Sequence, residues 1–70
     1  MRLSTRNQLN GTITEVTPGA VMATVKVRLD GGDQVVTASI TKDAADDLDL
    51  QAGMAATVLI KSTAVAIGVE

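Results

Sequence analysis

Near the C-terminus, Lys61-Ser62-Thr63 sets one cation and two hydroxyls between the apolar runs Leu59-Ile60 and Ala64-Val65-Ala66-Ile67-Gly68. No acidic residue lies between Asp49 and Glu70. Close to the other terminus, Ser4-Thr5-Arg6-Asn7-Gln8 is equally free of acids. Together the two stretches hold two cations, four hydroxyls and two carboxamides, and backbone N–H groups at bends would add donors. Neither contains His, Asp, Glu or Cys, so neither supplies a general base, a thiolate or a metal-ligand set.

A donor-rich set without carboxylates selects among anions. A phosphate that keeps a proton at neutral pH needs an acceptor for it, whereas a fully deprotonated tetrahedral oxyanion such as sulfate, molybdate or tungstate only accepts. Arg, Lys, hydroxyls and backbone N–H groups suit the second kind. On residue types alone the alternative stands open that these are ordinary polar residues at strand ends, with Arg6 and Lys61 solvated.

For the two stretches to act together, the fold must bring the termini to one place. Charge is distributed in keeping with that. Residues 1–14 carry Arg2 and Arg6 and no acid, and residues 50–69 carry Lys61 and no acid. Residues 15–49 hold seven acids against Lys26, Arg28 and Lys42. A meeting of the basic ends would make an electropositive site; a solvated acidic face with no such site is the other possibility.

Alternation of apolar and polar residues supplies the elements. Leu9, Gly11 and Ile13 alternate with Asn10, Thr12 and Thr14, predicting a first strand over about 5–16, with Gly11 marking a bulge or tight bend. Thr17-Pro18-Gly19-Ala20 predicts a turn with Gly19 at positive φ. In strand two Val21, Ala23, Val25, Val27 and Leu29 share one face. Asp30-Gly31-Gly32-Asp33 reads as a hairpin turn, and strand three follows over 34–41 with Val36, Ala38 and Ile40 inward. Thr41 can cap a short helix, Lys42–Leu48, whose first turn holds Asp43. Strands four and five are expected over about 54–61 and 63–69. This order predicts an all-β single domain over residues 1–70, a five-stranded OB-like β-barrel with one short helix between strands 3 and 4. A partly open five-stranded sandwich is the nearest alternative.

Seventy residues bury little surface, and small scaffolds lean on disulfides, a structural metal or association. The chain has no Cys, His or aromatic residue. Association remains by elimination. Strand five agrees, since Val65, Ile67 and Val69 line one face and Ala64, Ala66 and Gly68 the other, leaving an apolar edge that a second chain would cover. No apolar run is long enough to cross a membrane and no secretory core follows Met1-Arg2, so a cytoplasmic protein is expected.

The order of residues adds a further signal. Leu3-Ser4-Thr5-Arg6-Asn7-Gln8-Leu9-Asn10-Gly11-Thr12 resembles the opening of the molbindin (Mop) family, small molybdate-binding proteins and domains of TOBE type. The resemblance continues through Gly19-Ala20-Val21-Met22-Ala23-Thr24-Val25, Ile40-Thr41, Leu48-Asp49-Leu50-Gln51-Ala52-Gly53 and Ile60-Lys61-Ser62-Thr63-Ala64-Val65-Ala66-Ile67-Gly68. It implies an OB-like barrel that assembles as a hexamer and binds molybdate or tungstate between subunits. It further implies oxyanion contacts from Ser4, Arg6, Lys61 and Ser62, with Asn7 and Thr63 inside the same motifs and the backbone of Ala20 and Val21 approaching the ligand. Met22, Ala66 and an unusually acidic helix depart from the family pattern, all away from these residues.

The resemblance implies no cofactor, no metal bound directly and no enzymatic activity. A free-standing protein for molybdenum storage or homeostasis is expected from a chain running from Met1 to Glu70, with a regulatory or accessory domain of a molybdate transport system as the alternative. A nucleic-acid-binding OB domain is disfavoured, because such domains stack bases on aromatic side chains over a basic surface.

Overall fold

The computed structural model describes residues 1–70. Four strands, β1 (Asn7–Pro18), β2 (Met22–Leu29), β3 (Val35–Thr41) and β4 (Ala55–Ile60), form one antiparallel sheet in the order β3-β2-β1-β4. A short helix, α1 (Lys42–Asp47), lies between β3 and β4, and a 3₁₀ turn (Ser62–Ala64) follows β4. The all-β expectation with its single helix holds, but the sheet has four strands rather than five. Residues 65–70 have extended or irregular backbone and pair with no strand. The period-two apolar pattern there gives the segment strand character, but a ladder also needs a partner edge, and this chain brings none to it.

β1 is paired on both sides and organises the sheet. Gly11 to Pro18 pair with Leu29 to Ala23 of β2, and Asn7 to Thr12 pair with Ile60 to Ala55 of β4. Two bonds carry the second edge further, Ile13 N–H to the Met54 carbonyl at 2.9 Å and Gly53 N–H to the Ile13 carbonyl at 2.8 Å. The register to β2 slips between Ile13 and Glu15, leaving Thr14 as the extra residue of a β-bulge. With strict alternation Glu15 would follow Ile13 inward. The bulge instead turns Val16 inward opposite Val25 and sends Glu15 out to Lys26, 3.7 Å away. The three-residue step from Ile13 to Val16 is the sequence signal of that bulge.

The irregularity at Gly11 is therefore of another kind. Gly11 sits where a Cβ would meet the Arg28 carbonyl oxygen and come within 2.8 Å of Val27 Cγ1, so the residue is a close-approach glycine. The turn after β1 also differs from expectation. β1 runs through Pro18, and Gly19 N–H donates to the Met22 carbonyl at 2.7 Å, leaving Ala20-Val21 as a two-residue loop. Only Gly31, Gly53 and Asp49 have positive φ, so Gly19 does not, and Val21 stands in the loop 72% exposed instead of joining the inner face of β2.

Ile13, Val25 and Val27 form the buried centre, with Val16, Ala38, Ile40, Leu50, Ala56 and Val58 packed around it. Val36, Ala38 and Ile40 are half-buried on the inner side of β3, as their alternation predicts. Thr41 caps α1 by accepting from Ala44 N–H at 3.1 Å, while Leu48 is the C-cap rather than the last helical residue. Lys42 donates to Asp46 at 2.9 Å, and this hydrogen bond raises the lysine pKa. The pair is solvent-exposed and contributes little; what the raised lysine pKa adds is present at neutral pH and lost as pH rises through the ammonium titration.

Gly11→Ala should destabilise the fold by about 1–3 kcal/mol, the usual cost of forcing a side chain into occupied space. Urea unfolding would show this as a lower midpoint at unchanged slope. A wild-type midpoint would mean that β2 yields freely at Arg28.

Candidate oxyanion site

The β1–β4 ladder ends at the pair Asn7–Ile60. Arg6 immediately precedes this pair on one strand and Lys61 immediately follows it on the other, so the two acid-free stretches flank one end of the sheet. The meeting of the termini expected from charge is thus a matter of strand register. Asn7 Nδ2 donates to the Ile60 carbonyl at 3.1 Å across the ladder, and Gln8 Nε2 donates to the Thr5 carbonyl at 2.7 Å.

Beyond Ile60 the chain bends. Lys61 keeps extended backbone (φ −62°, ψ 138°) and precedes the 3₁₀ turn, whose bonds run from Ala64 N–H to the Lys61 carbonyl at 2.9 Å and from Val65 N–H to the Ser62 carbonyl at 3.3 Å. The turn places Ser62 and Thr63 beside Lys61 in sequence at the mouth of the ladder, and all three are exposed. Ser4 and Arg6 are exposed as well, and Asn7 is half-buried.

The electrostatics follow from what is missing nearby. Both ion pairs of the chain, Lys26–Glu15 and Lys42–Asp46, lie elsewhere. Neither Arg6 nor Lys61 has a carboxylate within 4.0 Å. Six of the expected contact residues, Ser4, Arg6, Asn7, Lys61, Ser62 and Thr63, therefore share one end of the sheet as an exposed, cationic, donor-rich patch.

Ala20 and Val21 are not brought to that end. Their loop joins β1 to β2 at the far end of a strand of 12 residues, roughly 36 Å of chain at about 3.3 Å per residue. The longest dimension of the whole molecule is 37 Å. Neither Ala20 N–H nor Val21 N–H makes a backbone hydrogen bond, while the Val21 carbonyl accepts from Lys42 N–H at 2.7 Å. The loop thus offers free donors, but at the opposite pole. The expected contact residues are thus divided between the two ends of the sheet.

One groove accompanies this arrangement. It is apolar, about 530 Å³, and opens on the inner side of the sheet between Leu48, Leu50, Met54, Ile40 and Val58. It lies along the core and is not formed by the donor residues.

The relatives of the chain can be set beside this geometry. Residues 3–67 match the family model of the TOBE domain. A probable molybdenum-pterin-binding protein of Haemophilus influenzae is 37% identical over 70 residues, covering 100% of both chains. The molybdenum transport protein ModE of Herbaspirillum seropedicae is 46% identical over 68 residues, which are 97% of this chain but only 25% of that protein. Among solved structures, the cytoplasmic molybdate-binding protein ModG with molybdate bound superposes with a TM-score of 0.92 at 41% identity, over 100% of this chain and 49% of ModG. With a family match along nearly its whole length, and an end-to-end likeness to a relative of its own size, this chain belongs to the TOBE-domain family, among the molbindins.

Proposed function

We propose that the protein binds molybdate, or the nearly isosteric tungstate, between copies of itself and serves to store or buffer the oxyanion in the cytoplasm. The observation that carries this reading is the Asn7–Ile60 pairing, which sets two acid-free, donor-rich motifs side by side. Relatives along the whole chain that are described as molybdenum-pterin-binding or molybdate-binding proteins support the choice of ligand. The description of ModG as cytoplasmic supports the location.

In this reading Arg6 and Lys61 neutralise the two charges of the ligand. Ser4 and Ser62 donate hydroxyl hydrogen bonds, with Asn7 next to Arg6 and Thr63 next to Ser62 inside the same two motifs. The free N–H groups of Ala20 and Val21 come from a second copy, because their own chain holds them at the wrong pole. A site divided in this way exists only in an assembly, and a closed ring would repeat it at each interface. In this reading the ligand is held unchanged, with no cofactor taking part.

Exposed apolar surface supports the assembly. Ile67 and Val69 are 86% and 92% exposed in a segment with extended character and no partner strand. We take this segment to be covered by neighbouring copies, up to a hexamer. Ligand bound at the interfaces would stabilise the assembly by mass action. A second role is favoured by one observation, the match to a quarter of ModE: the same fold can serve as the oxyanion-sensing part of a transport or regulatory protein.

Three outcomes are expected. Native mass spectrometry should show a hexamer that gains mass in steps of one oxyanion when molybdate is added; a monomer at micromolar concentration contradicts the divided site. Lys61→Ala should weaken molybdate binding in calorimetry by on the order of 2–5 kcal/mol, as loss of a desolvated charge partner does. The ligand-free variant should melt no lower than wild type, since like charges meeting at an empty interface would be relieved; an unchanged thermal gain from molybdate would remove Lys61 from the site. In competition, phosphate at equal concentration should fail to displace molybdate at neutral pH, because its proton finds no carboxylate acceptor among these residues. Displacement would sink the account of selectivity.

A further inference from the structure

We infer that the paired carboxamides of Asn7 and Gln8 are positioning residues that fix the two cations of the site and thereby set which tetrahedral dianion it accepts; this rests on the oxyanion-binding reading above. A carboxamide has two N–H donors and one acceptor oxygen. In each of these residues the nitrogen is already engaged with main chain, Asn7 Nδ2 with the Ile60 carbonyl at 3.1 Å and Gln8 Nε2 with the Thr5 carbonyl at 2.7 Å. The identity of those two carbonyls is informative. The Ile60 carbonyl belongs to the peptide unit that carries the Lys61 N–H, and the Thr5 carbonyl to the unit that carries the Arg6 N–H. Each clamp therefore holds the peptide plane from which one cation springs.

The two clamps are independent in space as well as in target. Neighbouring residues of a strand point to opposite faces, so Asn7 reaches across to β4 while Gln8 turns back over its own chain. Without them, both cations would stand on fraying ends, because the ladder stops at Asn7–Ile60 and both Arg6 and Lys61 lie outside it. Arg and Lys side chains are long and lose much rotamer freedom when ordered, so fixing their backbone lowers what binding must spend. It also fixes the spacing of the donors. Sulfate is a smaller tetrahedral dianion than molybdate with the same charge and no proton. Only a site that cannot contract tells the two apart.

The test uses the full chain, with molybdate and sulfate as probes. Wild type, Asn7→Ala, Gln8→Ala, Arg6→Ala, Lys61→Ala, Asn7→Ala with Lys61→Ala and Gln8→Ala with Arg6→Ala would be titrated by calorimetry, and backbone order parameters would be measured without ligand. Each single carboxamide variant should weaken molybdate about fivefold to tenfold, near the worth of one hydrogen bond. Sulfate should weaken less, so that the preference for molybdate shrinks. Asn7→Ala should add nothing in the Lys61→Ala background and Gln8→Ala nothing in the Arg6→Ala background, and without ligand each should lower the backbone order parameter at its own cation. If wild type fails to bind molybdate, the binding reading itself falls and this inference with it. If wild type binds but the carboxamide variants keep its affinity and its preference over sulfate, the positioning role alone is overturned. Additive losses in each double variant with unchanged order parameters would also overturn it, making the carboxamides direct ligands. Should Asn7→Ala fail to assemble, the exposed Gln8 decides the matter by the same readings.

Discussion

Pairing of β1 on both edges is the constraint on which this small protein depends. One strand of 12 residues must satisfy β2 along its second half and β4 along its first, overlapping at Gly11 and Thr12. An extended strand with strict alternation could not also keep Ile13 and Val16 on the same inner face. The bulge at Thr14 resolves the conflict by adding a residue without a partner, and the strand bends there and twists more strongly. Gly11 serves the same end, since the backbone of Arg28 comes too close for a side chain. The bend lets the sheet curl over Ile13, Val25 and Val27, a centre that a flat sheet of these strands would leave open.

From that double pairing the chemistry of the candidate site follows directly. Because β4 returns antiparallel along the first half of β1, its C-terminal end must arrive where β1 begins. Arg6 and Lys61 then become neighbours without any contact being formed for the purpose. Neither cation has a carboxylate within 4.0 Å, and the two ion pairs of the chain, Lys26–Glu15 and Lys42–Asp46, lie elsewhere. Like charges brought close and left without counter-ions cost stability in water only modestly, but more where an interface excludes it. The proposed oxyanion would supply the counter-charge that the chain itself does not place there.

Stability points the same way. Few residues are buried, and the apolar groove beside Leu50 and Met54 is open. The five-stranded expectation fails at the C-terminal segment, where Val65, Ile67 and Val69 have the composition of a strand and no edge in their own chain. Apolar residues that lose nothing by leaving the core are commonly reserved for another surface. The segment follows the turn of Ser62 and Thr63 immediately, so the turn is joined directly to this exposed apolar tail.

Much of this was legible in the sequence because it depends on local chemistry. Alternation identified β2 and the inner residues of β3, and the Thr41 cap and the extent of α1 followed from side-chain hydrogen bonding and capping preference. The acid-free stretches around Arg6 and Lys61, and their lack of imidazole and thiol, are facts of composition. What required the tertiary structure was everything set by pairing partners distant along the chain. Gly11 and Gly19 looked alike as turn or bulge formers, yet one is fixed by the backbone it faces and the other needs no positive φ. The bulge fell at Thr14 because β2 had to meet Ile13 and Val16 on one face. Asn7 and Gln8 looked like two more donors until the ladder showed which carbonyls they hold. The Ala20-Val21 loop was separated from the cations by the length of β1 alone. Side-chain types can be read one residue at a time, but register, edges and distance belong to the whole chain.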